Sequence, residues 1–241
     1  MSRDRGFAAT NRLRKECTDN LLAAAPAAGV RRFVAQSFAG WLYAREGSFV
    51  KTEKDPLDLN PPPTFRHTLE AIRYLESAVM SEALLEGIVL RYGAFYGPGT
   101  AIGEHAWMVN DIRNRRVPII GEGGGIWSII HIDDAARFTL AALMRGAPGI
   151  YNIVDDDPAP VSQWLPALAE ALGAKPPRRV PAWLARILIG NAVVVMTEAR
   201  GASNAKAKAI FGSDLTWPSW REGFRRGLCD LPQTQAHTQL R

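Results

Sequence analysis

An apolar run, Gly87-Ile88-Val89-Leu90, passes through Arg91-Tyr92-Gly93-Ala94-Phe95-Tyr96 into Gly97-Pro98-Gly99-Thr100. This pattern reads as a buried strand that empties straight into a turn-rich loop. In an open α/β sheet, ligands bind at the carboxyl ends of the strands. The segment therefore marks the place to look for a small-molecule site. The usual companion of such a site, a glycine-rich phosphate loop early in the chain, is absent from this sequence.

The flanking segments agree with an α/β plan. Thr10 and Asn11 precede Leu13, Cys17, Leu21, Leu22 and Ala25 at near-helical spacing, with Pro26 and Gly29 behind them. A short strand over 31–37 ends at Ser37. Residues 46–64 carry Pro56, Pro61, Pro62 and Pro63 among charges and read as an irregular surface loop. A helix over 66–84 aligns Leu69, Ile72, Leu75, Val79 and Met80 on one face. Helix, strand, loop, helix, strand is the order of a parallel α/β architecture. Further on, 107–116 reads as a helix, and 117–120, 127–132 and 149–154 as strands. Asp133 is expected to cap a helix over 134–144, and Ser162 one that runs to Leu172. The glycines of 121–125 read as a tight turn between two strands. The apolar stretch 182–197 contains Arg186 and Asn191 and is too short and interrupted to span a bilayer, so it reads as a buried or packed helix.

Bulk properties narrow the function classes. A chain of 241 residues buries roughly 70–75% of its unfolded surface. With 47% hydrophobic and 22% charged residues it has the composition of an ordinary globular protein. The net charge of +5 comes from short groups (Arg113, Arg115, Arg116; Arg178, Arg179; Arg225, Arg226) with acids interspersed. That describes a solvated basic surface, not the stripe that nucleic acid requires. Cys17 and Cys229 have neither metal-like nor redox-like spacing, and residues 1–20 lack an apolar core of the signal-peptide kind. A cytoplasmic protein without membrane or nucleic-acid partners is expected, acting on a small molecule, with a homo-oligomer left open.

Four segments together resemble the extended short-chain dehydrogenase/reductase family, the NAD-dependent epimerase/dehydratases. They are Arg32-Phe33-Val34-Ala35-Gln36-Ser37, Leu90 to Gly99, Ile130-His131-Ile132-Asp133-Asp134-Ala135-Ala136, and Ile150-Tyr151-Asn152-Ile153. The resemblance implies a partial Rossmann-like parallel sheet lacking its first strands, with a smaller C-terminal substrate lobe. Residues 1–97 and 126–155 would form the second half of a dinucleotide-binding domain, and 98–125 with 156–241 the lobe. The family's glycine-rich turn belongs to strands that come before the region where this chain begins. On that reading the chain is an atypical, N-terminally truncated member, and its binding of NAD or NADP is weak or absent.

The resemblance also assigns residues. Ser37 falls at the family's catalytic serine, where it would hydrogen-bond the substrate oxygen and touch the cofactor. Arg91, Tyr92, Gly93, Phe95 and Tyr96 would line the nicotinamide pocket. The family's Tyr/Lys pair, general acid/base and its partner, falls on Thr68 and Ile72, which can do neither job. Tyr43 and Tyr92 are conceivable substitutes that read more readily as structural. Trp127 stands where nucleotide-sugar enzymes of the family carry a diphosphate-pairing arginine, which points to an uncharged or differently held substrate. Arg200 and Asn204 of the late polar segment could face that substrate. His131, Asp133 and Asp134 read as cap and core groups, not metal ligands. The implied activity is hydride transfer at an alcohol or carbonyl carbon, as an epimerase, dehydratase or reductase. A non-catalytic scaffold or regulatory binding protein, or an inactive fragment, stands as the alternative.

Overall fold

The computed structural model describes residues 6–212 and 214–229. In chain order its strands are β1 (Arg32–Phe38), β2 (Val50–Lys51), β3 (Glu86–Tyr92), β4 (Ala94–Tyr96), β5 (Ile119–Ile120), β6 (Ile126–Trp127), β7 (Ile129–His131), β8 (Gly149–Ile153), β9 (Ala159–Pro160), β10 (Arg179–Val180) and β11 (Gly201–Ala202). The α-helices are α1 (Ala8–Arg12), α2 (Thr18–Ala24), α3 (Arg66–Ser81), α4 (Trp107–Arg113), α5 (Ile132–Arg145), α6 (Val161–Ala171), α7 (Ala182–Ile189), α8 (Val193–Thr197), α9 (Ala205–Phe211) and α10 (Trp220–Arg226).

The centre is a parallel sheet in the order β1-β3-β8. Helices cover both faces, so β3 is buried from Gly87 to Tyr92 and reads as one apolar run. Alternate residues serve the two faces. Val89 joins Ala35, Leu22, Leu75 and Val79 under α2 and α3, whereas Ile88 and Leu90 join Phe138, Ala142 and Phe211 under α5 and α9. The sheet approaches α3 closely at Gly87, where an added Cβ would lie 2.4 Å from the Val79 carbonyl oxygen. Register places Ser37 beside Arg91, and Arg91 beside Asn152, in one row across the sheet.

Past the sheet, β4 pairs with β7 and a second core gathers Tyr96, Trp164, Leu165, Trp217, Trp220 and Phe224. This places Trp217, Trp220 and Phe224 against α6. Acidic side chains fasten the segment. Asp134 accepts the backbone N–H groups of Thr216 and Trp217 at 2.9 and 2.8 Å, and Asp155 accepts that of Trp220 at 3.0 Å. His131 lies between them, its Nε2 2.8 Å from the Gly227 carbonyl and its Nδ1 accepting from the Asp133 N–H. That arrangement fixes the Nε2-protonated tautomer.

Several boundaries differ from the sequence reading. The first helix starts at Ala8, ahead of Thr10, and continues through a π-helical turn at Leu13–Cys17. Helix α5 is capped by the His131 ring and not by Asp133, which lies in the first turn with Asp134. Helix α6 starts at Val161 after Pro160, so Ser162 lies inside it. Its leading N–H groups are met by glycine carbonyls, Val161 N–H by Gly125 and Ser162 N–H by Gly123. The glycine cluster thus joins strands of two different sheets and seats a helix end.

The largest correction concerns 182–197. It divides into α7, a 3-10 turn and α8, and in α7 only Ala185 is buried. Trp183, Ile187 and Leu188 stand 68–73% exposed. Apolar content alone does not bury a helix, because burial needs a facing surface; here only a small core of Ile120, Ala185 and Val193 provides one. Among the described residues no helix is long and apolar enough to cross a membrane.

Candidate active site

A cavity of about 810 Å³ opens beyond the carboxyl ends of β1 and β3, between the sheet and helices α7 and α8. Phe38 and Trp41 enter it from the end of β1 and the turn that follows. Phe65 comes from the turn before α3, Trp127 from β6, Trp164 from α6, and Val195 and Met196 from α8. The walls are ring against ring: Trp41 on Phe65 at 4.3 Å between centroids, Phe38 edge-on to Trp41 at 6.1 Å, Trp127 on Trp164 at 4.9 Å. The Trp127 indole N–H is taken by the Val195 carbonyl at 2.8 Å, so it presents a ring face and not a donor. The buried Nε1 of Trp164 has no hydrogen-bond partner among the described residues. Among the described residues, Asp111 and Arg116 are the only charged ones in the lining.

The far wall depends on one close approach. Gly125 lies against α8, where a Cβ would meet the Met196 carbonyl carbon at 2.7 Å and the Val195 oxygen at 2.8 Å. The sequence places a glycine there because no side chain fits between β6 and α8.

Beneath the ends of the strands runs a buried polar row. Ser37 Oγ donates to Glu76 Oε1 at 2.6 Å. Arg91 grips the same carboxylate with both edges of its fork, Nε to Oε1 at 2.8 Å and Nη2 to Oε2 at 2.6 Å. Its Nη1 donates to the Tyr43 hydroxyl at 3.0 Å, and that hydroxyl donates onward to Asn152 Oδ1 at 2.6 Å. Burial of an ion pair costs several kcal/mol per ion, and bidentate geometry with further hydrogen bonds offsets it. Burial opposes the Arg91 charge, yet the bonds to Glu76 and Tyr43 carry its pKa above the ordinary value. Burial pushes the Tyr43 phenol up, against the pull of Arg91.

The residues singled out in the sequence fall in three places. Ser37 and Arg91 belong to this row and are nearly inaccessible. Thr68 is buried and accepts from Asn11 Nδ2 at 3.2 Å, while Ile72 packs among Leu42, Tyr43 and Leu69. Tyr92 is hydrogen-bonded to Thr139, and Phe95 stacks on Tyr92 at 5.3 Å. Tyr96 packs edge-on to His131 and Phe224. Gly93 lets the chain pass the Ser128 carbonyl, which a Cβ would meet at 2.6 Å. From that strand end it is Ala94 that reaches the cavity. Trp127 is in its wall. Arg200 lies over the Phe49 ring at 4.5 Å and bonds the Arg45 carbonyl, and Asn204 Nδ2 donates to the Val154 carbonyl at 2.9 Å; neither is among the cavity's lining residues. Sequence reasoning missed Phe38, Trp41, Phe65, Trp107, Trp164 and Arg116. Seven tryptophans in one chain were the available signal, but nothing local says that four of them share a pocket.

Comparison with known proteins bears on this geometry. The family model for the NAD-dependent epimerase/dehydratase family matches residues 8–154. A 3-diazoavenalumate denitrifying reductase from Streptomyces is 43% identical over 222 residues, spanning 91% of this chain and 72% of that protein. A dTDP-glucose 4,6-dehydratase from Streptomyces venezuelae, solved with NAD, superposes with a TM-score of 0.72 at 20% identity, covering 95% of this chain and 69% of that one. A human epimerase family protein solved with NADPH gives a TM-score of 0.71 at 20% identity, over 89% of this chain and 72% of that one. These two likenesses establish a shared fold.

Proposed function

This chain belongs to the NAD-dependent epimerase/dehydratase family, and within it we propose a reductase that removes a diazo group from an apolar small molecule. The aromatic cavity carries the reading. Its walls of Phe38, Trp41, Phe65, Trp127 and Trp164 suit a flat, weakly polar substrate. A nucleotide sugar is disfavoured, because Trp127 offers a diphosphate no charge and its N–H is already engaged.

The residues present fit one end of a dinucleotide site. The cavity stands at the carboxyl ends of parallel strands, where nicotinamide and substrate meet in this architecture. The glycine turn at 121–125 is not free to cradle a pyrophosphate, since the amides at the start of α6 are spent on Gly123 and Gly125. A bound dinucleotide would supply hydride. The protein's own contribution is to exclude water with ring faces and to hold the substrate flat between them. Ser37 serves as a positioning residue. Through Glu76 it fixes the strand end from which Phe38 enters the cavity.

The chemistry must also suit a site without the family's acid/base pair. Thr68 and Ile72 supply no proton. The similar Streptomyces protein is named as a denitrifying reductase of a diazo compound, and such a reduction needs none. When a carbon bearing a diazonium group accepts a hydride, a C–H bond forms and the C–N bond breaks with its electron pair on nitrogen. Dinitrogen leaves and the charges cancel, with no proton passing to or from a side chain. The test is to mix the protein with an arenediazonium salt and NADH or NADPH. Protein-dependent oxidation of dinucleotide, matched one for one by arene, is the expected result, and Trp127→Arg should slow it by more than tenfold. A folded protein that leaves both dinucleotides unoxidised overturns the reading.

A further inference from the structure

The geometry points to Arg116 as the group that receives an anionic head, a carboxylate, on the substrate of this cavity, so that the preferred substrates are apolar acids. The inference rests on the apolar-cavity reading above and specifies which members of that class bind.

Three observations carry it. Among the described residues, Arg116 is the only cation lining a cavity that is otherwise mostly aromatic and aliphatic. Its guanidinium is underused: Nη1 lies 3.4 Å from Asp111 Oδ1, the longest reach of a hydrogen bond. Its Nε and Nη2 edge has no partner among the described residues. That edge is the planar fork that matches a carboxylate's two oxygens.

The third observation is how the backbone delivers it. Helix α4 ends in a Schellman turn, with Arg115 N–H on the Ile112 carbonyl and Arg116 N–H on the Asp111 carbonyl, at 2.9 and 2.8 Å. Such turns favour glycine at the left-handed position, but here Arg115 occupies it with φ 56°. The turn folds Arg116 back over its own helix, beside Asp111, where both face the cavity. Arg115 is tied separately to the Pro176 carbonyl at 3.0 Å, which leaves Arg116 as the cation of the site.

An acid would then bind with its apolar body among the rings and its carboxylate on the open edge of Arg116. The Arg116 side chain is 71% exposed, with Asp111 as its side-chain partner among the described residues. The neutral amide or ester of the same acid keeps the ring contacts and loses the charge-assisted pair.

The experiment uses the whole chain, 2-naphthoate and its neutral counterpart 2-naphthamide, read by quenching of the cavity tryptophans and by calorimetry. The acid should bind about tenfold more tightly than the amide, the scale of one good charge-assisted contact. Arg116→Gln should bring the acid down to the amide and leave the amide unchanged; Arg116→Lys should restore part of the preference. Equal binding of acid and amide by the unmodified protein overturns the assignment of Arg116 while leaving the apolar cavity standing. A preference for the acid that survives Arg116→Gln places the anion elsewhere and overturns it too. If neither probe binds a protein whose circular dichroism shows it folded, the apolar-cavity reading itself fails.

Discussion

Glu76 is the residue on which the strand ends depend. It is 4% exposed and accepts from Ser37 and twice from Arg91, so two elements and a buried cation share one carboxylate. Removing one member of a buried pair leaves the other charge uncompensated, at about 3–5 kcal/mol. Glu76→Gln should therefore lower the unfolding free energy measured in urea by about 3–5 kcal/mol. Ser37→Ala, which deletes a single hydroxyl, should cost roughly 1–3 kcal/mol. If the ion pair is the source, Glu76→Gln combined with Arg91→Met should be less destabilised than Glu76→Gln alone. Ser37 and Arg91 were legible as strand-end residues from the sequence, and Glu76 was not singled out there. The sequence did not reveal that Ser37 and Arg91 share a partner, because the β1–β3 register that sets them in one row is a tertiary fact.

At the scale of elements, periodicity served wherever a segment had one dominant environment. Strands β1, β3 and β8 and helix α3 were legible because sheet and helix each impose a fixed repeat on what they bury. The stretch 182–197 was not. Its apolar residues look alike in sequence, and only the position of Ile120 and Val193 decides that Ala185 faces inward while Trp183 and Ile187 face out. The glycine cluster was legible as a turn, but its work of seating α6 and admitting α8 was not. Gly125→Ala tests that work. A Cβ would press on the backbone of α8 at under 3 Å, and overpacking of this kind costs about 1–3 kcal/mol. Because Val195 and Met196 also line the cavity, the same substitution should change the tryptophan emission of the folded protein. Gly173→Ala, an open site with a positive φ of 63°, should destabilise without moving that emission.

At the scale of the whole molecule, residues 216–226 form a segment packed on α6 that stays out of the cavity, whose lining runs from Gly6 to Ala199. The cavity's rings come from chain segments far apart in sequence, which is why the family was legible in local motifs while the pocket was not. Carboxylates at the ends of β7 and β8 hold the 216–226 segment by its backbone amides, and Asp155 is a fully buried one of them. It accepts the N–H groups of Trp220 and Asp157 at 3.0 and 3.2 Å. Burial raises its pKa well above the ordinary value, with neighbouring Asp157 and Asp156 adding to the shift and the two amide bonds opposing it. A carboxyl whose folded pKa is raised binds its proton more tightly in the folded chain than in the unfolded one. Its contribution to stability is complete below the unfolded pKa and declines as pH rises through the folded value. Asp155→Asn holds the group neutral at every pH, at the fixed cost of one of its two acceptor oxygens. The difference in urea stability between the two proteins should therefore be constant in acid, below the ordinary carboxylate range. It should then shift in favour of Asp155→Asn as pH rises through and above that range, levelling off once Asp155 has ionised. A difference that stayed flat across the series, or that moved toward the unmodified protein with rising pH, would mean that the two amide bonds outweigh burial, and that the C-terminal segment is held by a charge and not by a neutral acid.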